Sequence, residues 1–134
     1  MLPYGEEKQR FKLAGCVLAS DSMVDSVANN LECYMDVLSA RQKLVASNIA
    51  NADTPGYKTQ DVNFQDAFRS VLEGGSIHSS EVSGLRTKND GNNVDLDREA
   101  RLLAENSLRF NLASNLMRSQ IQQVREAIHE GSNG

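Results

Sequence analysis

From Val24 to Ile49 the residues Val24, Val27, Leu31, Tyr34, Leu38, Arg41, Val45 and Asn48 recur at alternating steps of three and four. That spacing lines one face of a helix, so it predicts a heptad seam about 25 residues long, nearly 40 Å at ~1.5 Å per residue. Arg41 and Asn48 place polar groups at its later positions. Asp25 or Ser26 suits the start, and Asn51 is an acceptable left-handed stop. A stronger pattern fills the C-terminal third, where Leu96, Ala100, Leu103, Ser107, Phe110, Ser114, Met117, Ile121, Val124 and Ile128 follow four-three spacing. Leu108, Leu112 and Leu116 add an adjoining stripe. One amphipathic helix of about 33 residues accounts for both, with an apolar face wide enough to touch more than one neighbour. Asp95, Asp97 and Glu99 put negative charge at its start, Arg125 and His129 sit near its end, and Gly131 follows as a C-cap.

The stretch between the helices reads as turns. Thr54 precedes a proline and is pushed out of the helical region, while Pro55-Gly56 suits the central pair of a type II turn with Gly56 at positive φ. Asn63 to Asp66 resembles a capped start, and Phe64, Phe68, Val71 and Leu72 share one face of a short helix. From Glu73 to Asn93, four glycines lie among Ser and Asn with few apolar residues, as in a flexible loop or linker. The expected fold is therefore mainly α, with two long terminal helices paired as a coiled-coil-like hairpin across an irregular, partly flexible middle that holds a short helix. Its parts are an N-terminal extension (1–22), a first helix (23–52), the turn, short helix and loop (53–93) and a last helix (94–131), forming one assembly domain.

Composition narrows the function. Within 134 residues, Leu, Ile, Val and Phe number 32, enough for some folded core. A net charge of −4 argues against nucleic acid as the main partner, because binding phosphates needs a cationic face. Seven aromatic residues and no Trp are poor material for a deep enzyme pocket. No run approaches the ~18 apolar residues of a membrane span. Leu13-Ala14-Gly15-Cys16 resembles a lipoprotein box, but charged residues precede it where an apolar stretch belongs. Cys16 and Cys33 match neither a metal spacing nor a redox motif; an oxidising compartment would permit a disulfide between them, although nothing in the sequence holds the two together.

Chemistry is thin as well. His78 reads as a solvated loop side chain and His129 as a helix-end charge. Asn89 to Asp97 resembles a calcium loop with its glycine misplaced, and is better read as a turn feeding a helix cap. No phosphate loop, nucleophile elbow or zinc spacing occurs. Neither catalytic residue, cofactor nor metal is expected, and the chain reads as no enzyme. Periodicity alone leaves open an ordinary small helical bundle.

The run Leu38 to Tyr57 separates these readings. With Asp61-Val62-Asn63-Phe64 after it, it closely resembles the N-terminal signature of the flagellar rod, hook and hook-associated axial proteins. The matching residues are Ser47, Asn48, Ile49, Ala50 and Asn51, then Asp53, Thr54, Pro55, Gly56 and Tyr57. Gly91 to Asp97 with Glu99, and Leu103 to Asn106, resemble the C-terminal pattern of a short proximal-rod member of that family. Ala100 and Phe110 depart from it, standing where Met and Tyr are common. The resemblance spans Met23 to Ile128 and leaves 1–22 as a lineage-specific leader or an upstream misread start. A chain beginning at Met23 is expected to suffice.

The resemblance implies a structural subunit of the basal-body rod. Such a subunit is exported by the flagellar type III apparatus without a cleaved signal and polymerised into the periplasm-spanning drive shaft needed for motility. It implies as partners other rod subunits, the adaptor joining rod to membrane-embedded ring, and the export gate, in a multi-subunit helical assembly with no direct membrane span. Its assembly seam would comprise Leu31, Leu38 and Val45 with Leu103, Phe110, Met117, Ile121 and Val124. The competing readings are a sister rod protein of similar length and a small helical adaptor or export-chaperone module. Ordering such helices costs about 1–2 kcal/mol per residue in backbone entropy, so folding is expected to be coupled to assembly.

Overall fold

The computed structural model describes residues 23–134; readings that concern residues 1–22, including the pairing of Cys16 with Cys33, lie outside them. Within that range the order is α1 (Met23–Ala50), β1 (Gln60–Asp61), α2 (Phe64–Leu72), β2 (Ser80–Glu81) and α3 (Leu96–Ser132). The architecture is mainly helical, with the long terminal helices in contact and a short helix between them in sequence.

α1 and α3 run antiparallel. Going up α3, Glu99 meets Asn48, Asn106 meets Gln42, and Phe110 shares a groove with Leu38. α1 buries Val37, Leu38 and Val45 almost completely, each such side chain being worth roughly 1.5–3 kcal/mol relative to exposure. The residues α3 buries are Glu99, Asn106 and Ala113, spaced by seven. This helix therefore does turn a heptad row toward its partner, but the row is polar and small. Its apolar row is left at the edge of the contact or in solvent, with Leu96, Leu103, Phe110, Ile121, Val124 and Ile128 all exposed.

α2 is the device that closes the core from the other side. The Asn63 side chain accepts from the Asp66 amide at 3.3 Å and starts the helix. α2 then buries Ala67 and Val71 against Cys33, Val37 and Ala40 of α1, and Val62 and Ile77 complete the cluster. Phe64 and Phe68 meet Tyr34 edge-on at 5.1 and 5.9 Å. Ile77, in the stretch read as loop or linker, is 1 % exposed.

That stretch is irregular but anchored. β2 pairs antiparallel with β1, Gln60 opposite Glu81 and Asp61 opposite Ser80, a ladder too short to leave a periodic signal in sequence. At its far end Asn92, Asn93 and Val94 are buried. Asp95 then caps α3, its carboxylate accepting from the amides of Asp97 and Arg98 at 3.0 and 3.2 Å. At the other end Gly131 is not the cap. The helix continues to Ser132, and Asn133 closes it with its amide on the Glu130 carbonyl at 3.3 Å.

Candidate functional site

Two segments far apart in sequence meet at the α1 exit. The first is Ser47 to Tyr57. The Asn51 amide bonds back to the Ser47 carbonyl at 3.0 Å, its side chain repeats that bond at 2.8 Å, and its Oδ1 accepts from the Thr54 hydroxyl at 3.1 Å. A turn then closes with the Tyr57 amide on the Thr54 carbonyl at 3.2 Å, and Gly56 takes φ +73°, the left-handed value that a Pro-Gly pair requires at its second position.

The second segment, Lys88 to Asp95, holds the first from outside. The Asn92 side chain donates to the carbonyls of Asn51 and Thr54 at 2.9 and 2.8 Å, adding a second bond to acceptors that already take the amides of Thr54 and Tyr57 and so tying both turns of the exit to one residue. Its Oδ1 accepts from the Val94 amide at 2.8 Å. Asn93 accepts from the Thr59 amide at 2.7 Å. Lys58 reaches the Gly91 carbonyl at 2.8 Å, and Lys88 reaches the Ala52 carbonyl at 3.0 Å. The Gly56 amide donates to the Asp90 carbonyl at 2.9 Å. Gly91 lies so close beneath that turn that a Cβ on it would stand 3.4 Å from the Gly56 Cα.

Beneath this clasp runs a chain of buried polar groups. Asn48, wholly buried, uses both faces of its amide. Nδ2 donates to the Gln60 carbonyl at 2.8 Å and to Glu99 Oε2 at 3.0 Å, while Oδ1 accepts from the Gln60 amide and the Tyr57 hydroxyl, each at 3.0 Å. It serves Gln60 as a neighbouring strand would. Glu99, also wholly buried, takes Arg98 on its other oxygen at 2.6 Å. Arg98 bridges on to Asp61 at 2.6 Å, and Arg41 grips Asp61 through Nε and a terminal nitrogen at 3.0 and 3.2 Å. Two arginines and two carboxylates thus balance, and removing any one would leave the cluster with one net unbalanced charge. Burial alone would push the Asp61 carboxyl up, but the bonds from Arg41, the Val62 amide and Arg98 outweigh it and hold it below the usual aspartate range. Burial works likewise against the Arg98 charge, and Asp61 with Glu99 more than restores it.

The motif residues have unequal places. Asn48, Asn51, Thr54, Gly56 and Tyr57 make the bonds just described, and the Ser47 hydroxyl lies 3.3 Å from that of Tyr57. Ile49, Ala50, Asp53 and Pro55 are exposed. Of the seam residues, Leu38 and Val45 are buried, and Leu31 and Met117 are half-buried. Leu103, Phe110, Ile121 and Val124 face solvent. The roles of Asp61, Asn92, Asn93, Arg98 and Glu99 went unread in sequence, because polar residues beside a helix start look like caps and charge complements. Glu99 in particular is a buried partner of Asn48 as well as a first-turn acid. The sequence signal was the place of Asp61 after the first resembling run and of Asn92, Asn93 and Glu99 in the second; Arg98 lay in neither set of matching residues. Among the described residues no cluster of three His, Cys, Asp or Glu could hold a metal ion, and no helix is long and apolar enough to cross a membrane.

Two runs far apart in sequence thus lock the terminal helices together, and they are the same runs that carry the resemblance to the flagellar rod, hook and hook-associated axial proteins. The family model described as "Flagella basal body rod protein" matches residues 35–58, the last half of α1 and the turn after it. Among curated relatives, the flagellar basal body rod protein FlgB of Borrelia hermsii is 32 % identical over 117 residues, covering 68 % of this chain and 87 % of its own. FlgB of Yersinia ruckeri is 28 % identical over 137 residues, covering 81 % and 100 %, and FlgB of Escherichia coli K12 is 28 % identical over 123 residues, covering 73 % and 89 %. The chain belongs to the FlgB family of flagellar basal body rod proteins.

Proposed function

We propose that this chain is a structural subunit of the flagellar basal-body rod, required for building the flagellum and hence for motility. Family membership carries the reading, and the division of α3 into a polar inner row and an apolar outer surface supports it. A self-contained hairpin has no use for a long solvent-facing apolar row, whereas a subunit packed among others does. The role is mechanical, with no catalytic step.

The finer parts of the reading follow from it. The subunit leaves the cytoplasm through the flagellar type III apparatus without a cleaved signal, meeting the export gate on the way. It then takes its place in the periplasm-spanning shaft, beside other rod subunits and the adaptor that joins the shaft to the membrane-embedded ring. Residues 23–131 act as one assembly unit. The Ser47–Tyr57 motif and its clasp set the angle at which the chain leaves α1, and Leu103, Phe110, Met117, Ile121 and Val124 face neighbouring subunits. Residues 121–134, all exposed, gain their order from those neighbours.

The test is complementation of a strain lacking this chain, followed by immunodetection of the tagged protein in purified basal bodies. Presence in the rod fraction and restored swimming are expected. A protein that restores swimming yet stays in the cytoplasm would instead be an adaptor or export chaperone.

A further inference from the structure

α3 carries apolar surface on both sides of its contact with α1, and the two sides have different shapes. On one side, a groove of about 500 Å³ runs between the helices, lined among others by Leu38, Gln42, Asn106, Ser107, Phe110 and Asn111. Asn106 is 2 % exposed, and its Oδ1 has no hydrogen-bond partner among the described residues; its Nδ2 makes only a long 3.4 Å bond to Gln42. A buried acceptor without a donor is a costly feature that a ligand entering the groove can relieve. On the other side, Leu108, Leu112 and Leu116, four residues apart, form a ridge that is 71, 60 and 49 % exposed. Asn115, also exposed, lies beside it and offers an amide donor. At 100° per residue, Leu112 and Phe110 lie roughly 160° apart around the helix, so one molecule cannot bring its ridge to its own groove.

We propose that the groove receives the Leu108–Leu112–Leu116 ridge of a second copy of this chain, with the second copy's Asn115 amide donating to Asn106 Oδ1. The inference rests on the rod-subunit reading and gives that surface its partner. Ridge and groove are different patches, so the contact is heterologous. Each bound copy leaves one free groove and one free ridge, and the contact propagates as an open series rather than closing as a dimer. The ridge supplies the apolar cover that Phe110, 41 % exposed, lacks, spaced as a helix row fits between two others.

Two solution experiments on the full chain test this. In the first, p-benzoylphenylalanine replaces Phe110, and equal amounts of ¹⁴N and ¹⁵N protein are mixed, irradiated and digested with trypsin. Mixed-isotope crosslinks to the peptides Leu102–Arg109, which carries Leu108, and Phe110–Arg118, which carries Leu112 and Leu116, are expected. Crosslinks confined to one chain, or to other segments, overturn the proposal. In the second, Phe110→Lys spoils the groove and Leu112→Glu spoils the ridge, both at exposed positions that leave the hairpin folded. Sedimentation should show self-association weakened at least tenfold for each alone. Their mixture should form dimers and nothing larger, because one good groove meets one good ridge. Asn115→Ala should weaken association about five- to tenfold, with no further loss when combined with Asn106→Ala. A mixture no better than either variant alone, or a wild-type chain that stays monomeric, overturns the proposal.

The rod reading is tested separately in cells. If the wild-type chain restores basal bodies and Phe110→Lys does not, yet the mixture in solution shows no rescue, the groove takes a different subunit. Copy-to-copy docking then fails while the rod assignment stands.

Discussion

Asn48→Ala removes four hydrogen bonds at a position with no access to water. Tyr57 keeps the Ser47 hydroxyl and Glu99 keeps Arg98, so the full loss falls on the Gln60 amide and carbonyl and on Glu99 Oε2. An orphaned buried group costs about 1–3 kcal/mol. Gln60 lies at a half-exposed rim where water can enter, so the sum settles near 3 kcal/mol, or roughly a hundredfold in the equilibrium for opening the junction. Native-state hydrogen exchange reads this directly at the Gln60 amide, with the Ala67 amide of α2, bonded to the Asn63 carbonyl at 2.9 Å, as internal reference. Gln60 should exchange about a hundred times faster and Ala67 far less so. A change below threefold at Gln60, in a variant with unaltered helix content, would refute the idea that Asn48 holds the α1 exit to β1 and α3. Asn48→Asp sharpens the test, because it removes both donors and sets a carboxylate against Glu99 Oε2. It should destabilise more than Ala at neutral pH and approach Ala as acid neutralises the pair.

Gly56→Val forces a branched residue to φ +73° and should cost about 1–2 kcal/mol of stability in urea titration, whereas His78→Ala, on the surface, should stay within about 0.5 kcal/mol. Asp61 has a folded pKa below its unfolded one, so its contribution is complete above the ordinary aspartate value near 3.9 and is lost as pH falls through the lower folded value. Asp61→Asn should therefore be less stable at pH 7 and show a flatter acid limb in a pH series of denaturation midpoints. Leu38→Asp buries a charge at a position 1 % exposed and should unfold the subunit, while Phe110→Asp, 41 % exposed, should leave circular dichroism unchanged and block rods. In the isolated subunit, amides of 99–113 should be protected and those of 121–132 should exchange within the dead time; uniform protection along α3 would sink the coupling of its last turns to assembly.

Both long helices could be read from sequence because heptad spacing survives whatever covers the seam. What periodicity could not supply is direction. The apolar row Leu103, Phe110, Met117 is the one that a coiled-coil pairing would be expected to turn inward, yet the row turned fully inward is Glu99, Asn106, Ala113. Its two polar members meet groups of α1, Glu99 bonding Asn48 and Asn106 reaching Gln42 through Nδ2, and those residues lie more than fifty positions away. Local pattern carries no record of them. Gly56 was legible for the opposite reason, since a Pro-Gly turn is determined by its own residues. β1 and β2, two residues each, fall below any periodic signal, and Ile77 among Ser and Gly gave one apolar residue where a core needs several. The candidate site was half visible, its first run through the motif and its second only as a helix start.

The clasp also fixes where the chain can lengthen. Lys88 and Gly91 are tied to Ala52 and Lys58, so the path from Tyr57 out to Lys88 begins and ends at the same place on the molecule. Anything spliced into the exposed turn at Ser83–Gly84 would depart from and return to one fixed root, without altering how α1 meets α3. Loop closure grows by only about 0.6 kcal/mol per doubling of length, so a whole added domain at that turn would weigh little on the hairpin. Bulk added by insertion at this root would thus leave the spacing of the paired helices as it is.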